Sequence, residues 1–176
     1  MDRLLHHELR AVFSVLAVVA VSVTGAGLAH GFAPQEPGKV ALYLAGLLAF
    51  AAVWTFLKGT RLRGFSWVRD YDRAVPVEDT GTVVPADSSL RDGWFNWPVL
   101  VLFLLFVLPI SVFWEPWVIG IALWSALDWL GQAALVAHWE RRNGLLLWRG
   151  HVGSRPWELS VSRRPPTRTA TGERPA

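Results

Sequence analysis

Apolar residues in this chain gather in long blocks and do not alternate with polar ones, as they would on the half-buried faces of a soluble domain. The first block is "AVFSVLAVVAVSVTGAGLAHG", residues 11–31, and the second runs from Val40 to Leu57, where Lys58 closes it. The third, "WPVLVLFLLFVLPISVFW", covers 97–114 with tryptophan at both ends and no charge between. The fourth runs from Trp117 to His138, joined to the third by only "EP". About 20 helical residues cross a hydrocarbon core of about 30 Å, so the pattern predicts four transmembrane helices. The expected fold is an all-α integral membrane protein built as two antiparallel hairpins. Residues 1–57 form the first hairpin, 58–96 a loop, 97–138 the second hairpin and 139–176 a tail. Pro109, inside the third block, is expected to bend that helix or thin its hydrogen bonding. A cleaved signal peptide competes for the first block, since "LAHGFA" offers small residues for cleavage. The block exceeds the usual signal core of about 7–15 residues and follows acidic residues, which favours a retained helix.

Charge orients the helices. Lys and Arg number two before the first block (Arg3, Arg10), one in the first loop (Lys39) and six in the 58–96 loop. None lies between the third and fourth blocks, and eight follow His138. This alternation obeys the positive-inside rule for four spans with both termini cytoplasmic. The abundance of Ala, Val, Leu, Arg and Gly suits a GC-rich bacterial genome, so the expected location is a bacterial plasma membrane, crossed several times.

The loop and tail change the picture little. "KGTRLRGFSWVRDYDR" mixes basic and aromatic residues and is expected to lie along an anionic leaflet. "AVPVEDTGTVVPADSS" reads as irregular loop, and "SSLRDGWFNW" as a short interfacial helix capped by Ser88 or Ser89. Six acidic residues balance the six basic ones across this loop, so it lacks the positive surplus of a nucleic-acid surface. In the tail, "NGLLLWRGHVGSRPWELSVS" reads either as a small hairpin or as an aromatic anchor through Trp148 and Trp157. The Pro- and Arg-rich segment after about residue 163 is expected to be disordered.

Candidate chemistry centres on Asp128. In a helix from Trp117 to His138 it lies near the midpoint, where a charge costs about 2.5–3.5 kcal/mol on insertion scales. Helical spacing puts Ser125, Gly131 and Gln132 on its side, flanked by Trp117, Trp124 and Trp139, with Ala122, Ala126, Leu130, Ala133 and Ala137 away from it. That side is expected to face protein. No cation stands at its depth in another block. The expected partners are Ser22 and Thr24 of the first span and Gln132, which makes Asp128 an uncharged acid joining helices, with proton or ion handling as the alternative. Ala41, Ala45 and Ala49, together with Gly25 and Ala29, form small-residue ladders that suggest close packing of the first two spans on each other or on a copy.

Other signals are weaker. Asp70 and Asp72 in "RDYDR" offer a carboxylate pair of the kind that holds a divalent metal, but arginines flank both and no phosphate loop or metalloprotease motif accompanies them. The five histidines share no common depth and are expected at interfaces or exposed. The chain has no cysteine, which removes thiol chemistry and disulfides. No cofactor or metal is expected. The leading expectation is a non-enzymatic membrane subunit or scaffold, with the bilayer and a protein partner or a second copy as its contacts. The alternatives are a small oligomeric transporter or channel using Asp128, and an inner-leaflet lipid-modifying enzyme using Asp70 and Asp72.

Overall fold

The computed structural model describes residues 2–31, 37–60, 66–77, 93–114, 116–149 and 159–163. Strand β1 (Asp2–Arg3) runs directly into helix α1 (Leu4–His30), and α2 (Pro37–Gly59) follows. A short helix α3 (Trp67–Asp72) and strand β2 (Val75–Pro76) come next, then α4 (Trp97–Phe113). A 3-10 turn (Pro116–Val118) leads into α5 (Ile119–Asn143), and strands β3 (Leu145–Arg149) and β4 (Leu159–Arg163) close the chain. Three helices, α1, α2 and α5, are long and apolar enough to cross a membrane, and α4 is an apolar helix of 17 residues. Pro98 sits in the first turn of α4, where a missing N–H costs nothing, and the helix continues through Pro109 to Phe113.

Packing does not follow the sequential pairing expected of two hairpins. The main partners of α1 are α5 and α4, and α2 packs on α5. Val15 and Val18 of α1, Val107 of α4 and Val118, Ala122 and Ala126 at the start of α5 form one buried cluster. The alanine face of α5 is therefore the one pressed against α1, because small side chains let the two backbones approach. Its opposite face receives α2. A Cβ on Gly131 would run into the Thr55 side chain and one on Gly120 would meet the Tyr43 hydroxyl, so both glycines mark close approaches of α2 to α5. The ladder Ala41, Ala45 and Ala49 lies on the uncovered side of α2 and does not contribute to these contacts.

The fold is not all-α. The strands form one sheet in the order β1-β3-β4-β2, with β1/β3 and β3/β4 antiparallel and β2/β4 parallel. The hairpin reading of the tail holds for β3 and β4, while residues 150–158 between them lie outside the described residues. Period-2 patterning is nearly invisible in two-residue strands such as β1 and β2, which exist only because partners distant in sequence complete their hydrogen bonds. A second buried cluster joins this sheet to the helices through Leu4, Tyr71, Val136, Trp139 and Leu147. Gly144, at φ 66°, turns the chain from α5 into β3 while its N–H satisfies the Glu140 carbonyl.

The first two turns of α1 and the last turns of α5 thus belong to a sheet-bearing cap, and the apolar part of α1 begins at Ala11. From Gln132 to Asn143, α5 extends about 18 Å alongside the cap at 1.5 Å per residue. The proposed interfacial helix over 88–97 falls largely outside the described residues. Its positions Gly93–Asn96 form a bend, and Trp97 already begins α4. The segment after Arg163 lies outside them as well.

Candidate functional site

Asp128 does meet a cation. Nζ of Lys58 donates to both carboxylate oxygens, at 2.6 Å to Oδ1 and 2.9 Å to Oδ2, and Nε2 of Gln132 donates to Oδ2 at 2.8 Å. The expectation that no cation reaches Asp128 is corrected by this pair. Lys58 stands one residue before the end of α2, and its four-carbon stem carries the ammonium onto α5. The rings of Trp54 and Trp67 flank the ammonium at 5.6 and 5.0 Å from their centroids, adding cation–π attraction. Because its partner sits in the last turn of α2, Asp128 lies near the cap end of the bundle and not at its middle.

The other predicted partners stay away. Thr24 donates to the carbonyl of Ala20 and Ser125 to that of Ile121, each within its own helix. Ser22 is buried, and its hydroxyl finds no hydrogen-bond partner among the described residues. Ser22 lies 14 residues along α1 from Glu8, a residue close enough to Asp128 to feel its charge, so about 20 Å of helix separates it from that level. Of the proposed set, the structure brings Gln132 to Asp128 and adds Lys58.

Beside this pair, between the cap-side helix ends and the sheet, lies a cavity of about 990 Å³. Ala11 of α1, Pro98 and Val99 of α4 and Trp129 of α5 supply apolar wall, and Glu8, Asp70, Arg73 and Arg149 supply charge, with His7 beside them. Glu8 is only 5% exposed, and its Oε2 has no hydrogen-bond partner among the described residues. It lies in the cap-side turns of α1, before the apolar part begins. Burial raises its pKa to about 7, against the opposing pull of Arg149, with the Asp128 charge adding to the rise and Lys58 opposing it. The phenol of Tyr71, 1% exposed, is likewise unpartnered among these residues, and burial and the Glu8 charge push its pKa up. His7 is held neutral by burial and by Arg149, whose Nη1 donates to its Nε2 at 2.6 Å.

A third cluster fastens the cap. Glu140, 4% exposed, accepts from the Arg3 guanidinium and, at 3.0 Å, from the backbone N–H of Leu147. Asp72 accepts from the Trp139 indole at 3.0 Å, so one member of the suspected carboxylate pair ties α3 to α5. Among the described residues, no group of three or more His, Asp or Glu side chains is placed to hold a metal. His6, one of the histidines expected at interfaces or exposed, is buried beside Arg3.

Sequence reasoning missed Lys58, Glu8 and Glu140. Lys58 was visible as the closing residue of the second block, and the signal for it was side-chain reach. Glu8 and Glu140 carried no pattern, because both acquire their surroundings from strands far along the chain. Comparisons with known protein families, curated proteins and solved structures find no match for this chain.

Proposed function

We propose that the protein is a non-enzymatic subunit or scaffold of a bacterial plasma membrane, crossing it four times with both termini and the sheet-bearing cap in the cytoplasm. Exposed Trp94 and Trp97 before and at the start of α4, and Trp114 and Trp117 beyond its end, support α4 as the fourth span. Seventeen residues of helix separate the two tryptophan pairs by about 26 Å, near the thickness of a hydrocarbon core. The distribution of Lys and Arg supports the orientation.

The observation that carries the scaffold reading is the occupancy of Asp128. A coupling carboxylate must exchange its proton or ion with a pathway, whereas this one is bound by Lys58 and Gln132 and joins α2 to α5. Asp72, engaged by Trp139, supports a structural role over a metal-holding one. The uncovered surface of α2, with Leu42, Leu48, Val53 and Phe56 exposed, is available to lipid, a protein partner or a copy.

The test is ion and proton flux in proteoliposomes. Wild type and Asp128→Asn are expected to match protein-free vesicles. A wild-type flux that Asp128→Asn abolishes without loss of thermal stability would establish a transporter. Uptake of Mg²⁺ or Mn²⁺ in calorimetry, lost in Asp70→Asn, would favour the enzyme.

A further inference from the structure

The cavity between helix ends and sheet has no role in the scaffold reading, and the inference drawn from it rests on that reading only for α4 as a span. Its volume of about 990 Å³ lies at the upper end of the range for small-ligand sites. Two features say what it suits. Charges of both signs border it, Arg73 and Arg149 against Glu8 and Asp70, while one wall made by Val99, Pro98 and Trp129 is apolar and belongs to the cap-side ends of the bundle helices. Glu8 and Tyr71, both lining the cavity, each keep a buried oxygen without a hydrogen-bond partner among the described residues. Buried polar atoms in native proteins are rarely left so, and each such atom costs about 1–3 kcal/mol.

We propose that this cavity binds a phospholipid headgroup that carries a primary ammonium and a phosphodiester, with the acyl chains leaving along the apolar wall toward the bilayer. An anionic head with a glycerol tip offers Glu8 and Asp70 hydroxyl donors but no positive charge to balance them. A purely cationic one would face Arg73 and Arg149. The zwitterion places its phosphodiester toward the guanidiniums and its ammonium toward the carboxylate of Glu8. A primary ammonium donates three hydrogen bonds, enough for Oε2 and the Tyr71 phenol, whereas a trimethylammonium donates none. The site lies at the level where headgroups sit if α4 spans the bilayer between its tryptophans, which puts a lipid within reach.

The experiment titrates the detergent-purified full chain with short-chain phosphatidylethanolamine, phosphatidylcholine and phosphatidylglycerol, and with tail-free glycerophosphoethanolamine. The ethanolamine lipid is expected to bind about tenfold more tightly than the choline lipid, the difference made by one charge-assisted hydrogen bond. Glu8→Gln is expected to shrink that ratio to about twofold or less, and Tyr71→Phe to reduce it partway. Because the ratio is taken within each variant, a general loss of fold shows as loss of every lipid and is separable from lost discrimination. Equal binding of the three lipids by wild type overturns the proposal, as does preference for choline or for glycerol, or a ratio unchanged in Glu8→Gln. Tail-free glycerophosphoethanolamine binding as tightly as the lipid overturns the lipid assignment in favour of a soluble ligand.

Discussion

Lys58 and Asp128, seventy positions apart, form a two-pronged ion pair that ties the end of α2 to the flank of α5. Both side chains are largely withdrawn from solvent, at 10% and 22% exposure. Removing one partner leaves the other ion with its desolvation uncompensated, whereas removing both relieves it. Lys58→Met and Asp128→Leu are each expected to destabilise the protein by about 2–3 kcal/mol, reduced from the fully buried case by the residual exposure, and the double variant by much less than their sum. Thermal unfolding of the four proteins in one detergent closes the cycle. Additive losses would show that the pair does not act as a unit.

The crossing of α2 and α5 makes a steric prediction. Gly131→Ala drives a methyl group into the Thr55 hydroxyl, so the helices must separate or Thr55 must rotate. A destabilisation of about 1–3 kcal/mol is expected from overpacking, and Thr55→Ala in the same chain should recover part of it. Melting temperatures of the single and double variants decide this, and a neutral Gly131→Ala would mean the crossing is looser than described.

Glu140 predicts the behaviour of the cap. Glu140→Ala strands the Arg3 guanidinium and the Leu147 N–H, both of which it now satisfies. Hydrogen exchange is expected to rise selectively in β1 and β3 while the helical cores of α2 and α4 keep their protection. Uniform exchange increases across the chain would place Glu140 in the global core instead.

Glu8 makes stability depend on pH. Its pKa is raised to about 7 in the folded protein against 4.5 for the free side chain. For an acid shifted upward, the unfolded chain ionises first, so stability is greatest below about pH 4.5 and is lost as pH rises through about 7. The gap between those two values limits the loss to about 3 kcal/mol. Melting temperatures measured from pH 5 to pH 8 should fall in wild type and fall less in Glu8→Gln. Parallel curves for the two proteins would remove Glu8 as the titrating group.

The membrane character was legible because lipid demands long apolar blocks, and block length survives without knowledge of contacts. The special position of Asp128 was legible too, since few ionisable residues interrupt those blocks. Its partner was not, because reading helices as spans of equal depth places Lys58 at one membrane surface and Asp128 at the centre. Helical spacing alone does not show that the turns of α5 carrying Val136 and Trp139 pack against Leu4, Tyr71 and Leu147. Spacing places the alanine face of α5 only on the side away from Asp128 and does not say what it meets, yet in lipid small side chains are what permit close packing, and Ala122, Ala126 and Ala133 are buried. Nothing local marks Asp2–Arg3 or Val75–Pro76 as strands, since their hydrogen bonds come from residues 145–163.

That sheet has a consequence for biogenesis. Asp2 and Arg3 pair with Trp148 and Arg149, and β4 bridges to the central loop through β2. The first strand emerges about 140 residues before its mate, an interval of about 7–30 s at ordinary translation speeds. Through that interval it has no partner strand, because β3 and β4 are not yet made. The clasp therefore closes only after α5, when residues 145–163 become available to hold Asp2–Arg3 and Val75–Pro76 together.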